Sequence, residues 1–156
     1  MLDIKEKLNK RFLINDDTWK NFVTKTVRIF DNYLVDLPHS CVLVAMIADD
    51  NGVSFTHTVR EIDASTNEFK ETIIDINETT YVSLERISLG SNVKTRYSIP
   101  DYDGVIWHID IFEYENEGTG FIELELPSPN STIIDIPSFV GEEVKDNVNL
   151  GFISRF

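Results

Sequence analysis

Cysteine is nearly absent from this chain: Cys41 stands alone, so no intrachain disulfide can form, and its apolar neighbours suit a small buried hydrophobe. Basic residues are also scarce. Lysine and arginine number 14 against 27 aspartates and glutamates, a net charge of -13, and a surface of that sign repels nucleic-acid phosphates. Broad DNA or RNA binding is therefore excluded, whereas a small anion met by a few convergent cations inside a cavity is not. No apolar run approaches the roughly 20 residues of a membrane span. The opening Met1-Leu2-Asp3-Ile4-Lys5-Glu6-Lys7 is too charged for a secretory signal, and the expected location is the cytoplasm. A glycine-rich phosphate loop is missing, as is any constellation of Ser or Cys beside His that would make a nucleophile. The three histidines, His39, His57 and His108, are too scattered for a metal motif. His108, next to Trp107, reads either as a hydrogen-bond partner lining a barrel or as an acid or base.

What remains is a chain of 156 residues, 42% hydrophobic and 26% charged, which is enough for one domain over 1–156 with a real core. Residues 8–14 read as a strand. Asp16 and Asp17 could cap a helix over 18–27, with Trp19, Phe22 and Val23 at helical spacing. Strands follow at 28–35 and 41–48, and Asp49-Asp50-Asn51-Gly52 carries a hairpin signal, because Asn-Gly takes the positive φ angles of a type I′ turn. Further strands are expected at 53–61 and 68–76 around a turn at 63–67. A helix over 77–89 with Tyr81, Leu84 and Ile87 on one face stops at Gly90. Strands at 93–99, 105–114 and 121–126 complete the series, with turns at 100–104 and 115–120. Many short strands with brief helices imply an antiparallel barrel or sandwich.

Two like-charged couples interrupt this ordinary pattern: Lys94 and Arg96 in Val93-Lys94-Thr95-Arg96-Tyr97, and Glu123 and Glu125 in Ile122-Glu123-Leu124-Glu125-Leu126. In a strand, residues two apart share a face, so each couple projects together while Ile122, Leu124 and Leu126 pack on the other side. An open sheet turns such a face to water. A closed barrel can turn it inward, where cations and anions converge on a ligand.

Four segments in order, Lys94-Thr95-Arg96-Tyr97, Trp107-His108-Ile109-Asp110-Ile111-Phe112, Glu123-Leu124-Glu125-Leu126 and Phe139-Val140-Gly141-Glu142-Glu143-Val144, resemble the C-terminal half of the CYTH domain. That family, the triphosphate tunnel metalloenzymes, includes class IV adenylate cyclases, thiamine triphosphatases and inorganic triphosphatases. In the N-terminal half, Lys10-Arg11-Phe12-Leu13-Ile14 looks like the end of the family's E-x-E-x-K-F-L opening, and Asp31-Asn32-Tyr33-Leu34 resembles its Q-x-Y-L strand. In that register the two family glutamates fall on Lys7 and Asn9, and the lysine on Arg11. The family's R-x-R strand falls in Leu43-Val44-Ala45-Met46-Ile47, which has no arginine, while Thr58-Val59-Arg60 matches its T-x-K with Arg60 for lysine. The acidic strand that should follow is mostly lost in Glu71-Thr72-Ile73-Ile74-Asp75.

The resemblance implies an α+β, mainly antiparallel β fold, an eight-stranded closed barrel with short peripheral helices. Carried over residue by residue, it implies Lys94, Arg96, Arg60 and Arg11 as phosphate contacts, Glu123 and Glu125 as ligands of Mg²⁺ or Mn²⁺, and Asp110 and Glu143 as supporting acids. With Lys7 and Asn9 where oxygen ligands belong, two-metal catalysis should suffer. The expectation is a tunnel that binds a phosphorylated small molecule, a nucleotide, cyclic nucleotide or polyphosphate, with reduced or lost turnover. The alternatives are an active metal-dependent triphosphatase or nucleotidyl cyclase using acids such as Asp75 or Glu71, and an acidic scaffold for a basic protein partner. A further possibility is that the charged groups neutralise one another inside the barrel with no ligand at all.

Overall fold

A computed structural model describes residues 4–144, apart from 64, 66, 67, 115, 116, 118, 129, 130, 132 and 134. Parts of the turns expected at 63–67 and 115–120 lie outside the described residues. In chain order the elements are β1 (Ile4–Ile14), β2 (Lys25–Leu37), β3 (Ser40–Asp49), β4 (Gly52–Ile62), β5 (Phe69–Asp75), α1 (Glu78–Glu85), β6 (Gly90–Pro100), β7 (Ile106–Phe112), β8 (Gly120–Leu126) and β9 (Val140–Glu143). Every paired neighbour is antiparallel, in the order β5-β4-β3-β2-β6-β7-β8-β1, and β1 also pairs with β5, so eight strands close on themselves. β1 bridges the seam: Ile4 to Asn9 face β5, and Leu8 to Phe12 face β8. The ninth strand, β9, adds to the far end of β1 through Phe12 and Ile14.

Alternation in β7 and β8 runs opposite to that of a conventional barrel. Trp107, Ile109, Ile122 and Leu124, each fully buried, point away from the lumen into a core outside the barrel wall, with Phe12, Trp19 and Phe139. The chain covers that outer face with a one-turn 3-10 segment, Thr18–Asn21, and with the stretch that leads into β9. Trp107 meets Phe12 and Phe139 edge to face at centroid separations of 5.9 and 6.5 Å, and its indole N–H donates to Asp101 at 2.9 Å. Such edge contacts add about 0.5–1.5 kcal/mol per pair beyond area burial. On β2 and β3 the usual sense returns. Val27, Ile29, Leu43 and Ala45 face inward, joined by Cys41, which is buried as its apolar context implied.

The helix expected over 18–27 forms only the turn at Thr18–Asn21, and strand begins at Lys25. Thr24, Thr26 and Val27 are β-branched residues that fit a pleated sheet, and the ladder from Lys25 opposite Ser98 takes over. Trp19 is buried, as a core role requires, but Phe22 is 58% exposed. The second helix is shorter than its pattern. Asn77 caps it by accepting from the Thr80 N–H at 2.8 Å, and it ends at Glu85, leaving Ile87 exposed and Gly90 as the first residue of β6. The hairpin at Asp49-Asp50-Asn51-Gly52 pairs β3 with β4 as expected, with Asp49 opposite Gly52. Its turn is not type I′: positive φ falls on Gly52 alone, at 131°, and the Asp49 carboxylate accepts the Asn51 N–H at 2.8 Å. Among the described residues no helix is long and apolar enough to cross a membrane.

Candidate functional site: a charged tunnel with one apolar wall

Closure decides which of each strand's two faces is enclosed, and it encloses the charged face of β6, β7, β8 and β1. Lys94 and Arg96 on β6 meet Asp110, which stands directly opposite Arg96 on β7. The Arg96 guanidinium holds Asp110 through Nε and one terminal nitrogen at 2.7 and 2.8 Å, then reaches across β7 to Glu123 Oε2 at 2.8 Å. Lys94 Nζ lies 3.1 Å from Asp110 and 3.5 Å from Asp31 of β2. Arg11 of β1 approaches the other Glu123 oxygen at 3.4 Å, its guanidinium between the rings of Phe69 and Phe121. Arg60 of β4 pairs with Glu71 of β5 at 2.9 Å, and the second Glu71 oxygen accepts from Asn9 at 2.7 Å. Nearer one end, Glu125 Oε1 takes both Lys7 Nζ at 2.9 Å and His108 Nε2 at 3.1 Å. An ionised carboxylate only accepts, so Nε2 carries the proton, and in a neutral ring the Ser98 hydroxyl, 2.7 Å away, donates to Nδ1.

The protonation of these groups follows from the pairing. Burial opposes ionisation of Glu123, yet Arg96, Lys94, Arg11 and Arg60 outweigh it and hold the carboxyl well below the usual carboxylate range. Asp110 is likewise held low by Arg96 and Lys94 against the cost of burial. Glu125 is lowered to about 2, first by the hydrogen bond from His108 and, against partial burial, by Lys7. Burial works against the charge of Arg60 and Arg96 too, but Glu71 and Asp110 respectively keep both guanidinium groups charged.

Beside this network lies a cavity of about 330 Å³ running into the barrel. Arg60, Lys94 and Arg96 stand on its wall with Glu71 and Asp31. Lys5, Lys7, Lys25, Asp49 and Asp75 line it from the strand ends that gather at one mouth. The wall built by β2 and β3 is apolar: Val27, Ile29, Leu43, Ala45 and Ile47.

Of the residues singled out in the sequence, the structure gathers Lys94, Arg96, Arg60, Arg11, Asp110, Glu123 and Glu125 inside the barrel. Glu143 is not among them. It sits on β9 beside Lys10, 3.9 Å away, on the outer face of β1, because Lys10 alternates with the inward Asn9 and Arg11. Asp31 and Glu71 complete the ion pairs and Asn9 hydrogen-bonds Glu71. In the sequence Glu71 stands only as an acid for an active enzyme, and Asp31 is not legible locally, being one polar residue in a strand whose inner face only closure defines. The two couples do face the same enclosed space, with Arg96 against Glu123, while Lys94 turns to Asp110 and Glu125 to Lys7. As a divalent-ion site this donor set does not fit. Both Glu123 oxygens take guanidinium groups, Lys7 occupies Glu125, and among the described residues no three His, Cys, Asp or Glu side chains group to hold an ion.

No protein-family model matches the chain. It is similar to an inorganic triphosphatase of Acetivibrio thermocellus, 26% identical over 139 residues that cover 89% of this chain and 85% of that protein. Among solved structures, the PH1819 protein of Pyrococcus horikoshii matches 89% of this chain and 93% of its own at 16% identity, with a TM-score of 0.62. A Hippeastrum protein, HpAC1, described as a putative adenylyl cyclase with a dominant triphosphatase activity, matches 79% and 80% at 16% identity and a TM-score of 0.54. The structural matches share the fold, and the relative shares sequence along nearly its whole length. Its eight-stranded closed barrel is the fold of these solved structures, and the motifs of β6 to β9 are similar to those of CYTH, or triphosphate tunnel, proteins.

Proposed function

We propose that the tunnel binds a phosphorylated small molecule and does so without metal-assisted turnover. The observation that carries this reading is the convergence of Arg60, Lys94 and Arg96 on one cavity in a protein whose net charge is -13. Three cations held in a confined, low-dielectric space attract a phosphate far more strongly than the same groups on the surface would. Arg11 supports the wall from behind through Glu123. The absence of turnover rests on the donor set: Lys7 and Asn9 bring an ammonium and an amide where carboxylates would be needed, and Glu123 and Glu125 are committed to cations. Arg96 orients the bound phosphate, Lys94 supplies a point charge, and Arg60 closes the deep end.

Titration calorimetry against nucleotides, cyclic nucleotides and tripolyphosphate, with and without Mg²⁺, tests the reading. Binding that weakens at least tenfold in Lys94→Gln and Arg60→Gln, with folding verified by circular dichroism, supports it. Absence of heat for every phosphorylated compound would overturn it.

A second reading, an active triphosphatase, is favoured by the sequence likeness to the Acetivibrio enzyme over 89% of the chain. Phosphate release from tripolyphosphate with Mn²⁺ or Mg²⁺, abolished by Glu123→Ala, would establish it in place of the binding reading.

A further inference from the structure

Resting on the reading that the tunnel takes a phosphorylated molecule, the structure also constrains which kind. The apolar wall of β2 and β3 lies between the cations: on one side Val27 stands opposite Arg96 and Ile29 opposite Lys94 of β6, and on the other Arg60 of β4 stands opposite Cys41 of β3, while the glutamates of β8 face the wall from across the lumen. Val27, Ile29, Leu43 and Ala45 are each at most 9% exposed, and together with Ile47 they form a continuous surface on two adjacent strands. Thr56 and Thr58 share the lumenal face of β4 with Arg60 and stand opposite Ala45 and Leu43. A cavity of about 330 Å³ exceeds what a lone phosphate fills and sits at the small end of organic-ligand pockets, which begin near roughly 300 Å³.

Charge argues in the same direction. Each lumenal cation already has an acid: Arg60 has Glu71, Lys94 has Asp31 and Asp110, Arg96 has Asp110 and Glu123, and Lys7 has Glu125. A bare polyphosphate would bring several negative charges along a wall that carries aliphatic side chains, and would lie against carboxylates that cannot leave. A single phosphate needs to share only two or three of these cations, and an apolar body would cover the β2 and β3 wall and displace water from it.

We propose that the tunnel's ligand is an organic phosphate monoester with an apolar body, its phosphate at Arg60, Lys94 and Arg96 and its body against Val27, Ile29, Leu43, Ala45 and Ile47. The test is calorimetry on the unmodified full chain with four probes: 1-naphthyl phosphate, glycerol 2-phosphate, inorganic phosphate and tripolyphosphate. The expected result is 1-naphthyl phosphate binding at least tenfold tighter than each of the others. Ile47→Thr, which shortens the side chain and adds a hydroxyl at a half-buried position, should weaken 1-naphthyl phosphate more than glycerol 2-phosphate. Tripolyphosphate binding tightest, or the two monoesters binding equally, overturns this inference and leaves the phosphate-tunnel reading standing. Silence from all four probes overturns this inference, and overturns the phosphate-tunnel reading as well only when the nucleotides and cyclic nucleotides are silent too.

Discussion

Glu123 is 2% exposed and accepts from two guanidinium groups, so it is the residue on which most of the lumenal network converges. Removing one partner of a buried ion pair leaves the other charge uncompensated, which costs roughly 3–5 kcal/mol. Glu123→Gln is therefore expected to lower unfolding free energy by up to about that amount in urea titrations, since Arg96 and Arg11 each lose the charge of Glu123 while Arg96 keeps Asp110. Glu125 makes a different, pH-dependent contribution. Its folded pKa is about 2 against an ordinary 4.5, so the stability it supplies is present above 4.5 and is lost as pH falls towards 2. In Glu125→Gln the dependence of stability on pH between 4.5 and 2 should flatten. One fewer proton taken up on unfolding reduces the slope by at most about 1.4 kcal/mol per pH unit, less where solvent screens this half-buried group. Unchanged acid titration in that variant would mean that the Lys7 and His108 contacts do not hold in solution.

Among the elements, β9 depends on one small residue. A Cβ on Gly141 would stand 2.9 Å from the backbone oxygen of Leu13, closer than real Cβ contacts come, and backbone cannot swing aside as a side-chain tip can. Gly141→Ala is expected to cost about 1–3 kcal/mol by overpacking and to loosen β9 first, read as faster amide exchange at Val144, whose N–H donates to Arg11 O at 2.8 Å. At the start of α1, Asn77→Ala should cost about 1 kcal/mol in a thermal melt, because the Thr80 N–H loses its acceptor. Strand positions were readable from sequence because alternation and turn residues are local signals. The helix expected at 18–27 was misread for a physical reason: Trp19, Phe22 and Val23 repeat at a helical period, but the pairing of Lys25 with Ser98 is non-local and outweighs that preference. Ile122-Glu123-Leu124-Glu125-Leu126 announced two faces without saying which was enclosed. Here the glutamates are inside, because Trp19 and Phe139 cover the apolar side from without.

For the molecule as a whole, a net charge of -13 opposes the arrival of any anion until it reaches the mouth. Added salt shortens the Debye length from about 30 Å at 10 mM to about 8 Å at 150 mM and screens that repulsion, while the enclosed cations are screened much less. The association rate of 1-naphthyl phosphate, followed by stopped-flow fluorescence, should therefore rise with ionic strength over this range. A fall would indicate that the mouth lysines, Lys5, Lys7 and Lys25, steer the ligand more strongly than the acidic surface repels it. The barrel itself was legible at this scale through the order of the four C-terminal motifs. The apolar wall was half legible: the absence of arginine in Leu43-Val44-Ala45-Met46-Ile47 is plain in the sequence, but that Leu43, Ala45 and Ile47 face the lumen depends on the register with β2 and β4.

The seam where β1 bridges β5 and β8 bears on how the protein is made. During synthesis the first strand can join the fifth once residue 75 has left the ribosome, but its other edge has no mate until Gly120–Leu126 emerges. While residues 76–119 emerge, the nascent chain exposes an open β edge and, at Lys7 and Arg11, cations without the eighth strand's glutamates. A pause while residues 76–119 are emerging would leave a sticky intermediate with one strand edge unpaired, and that edge closes only when β8 has left the ribosome.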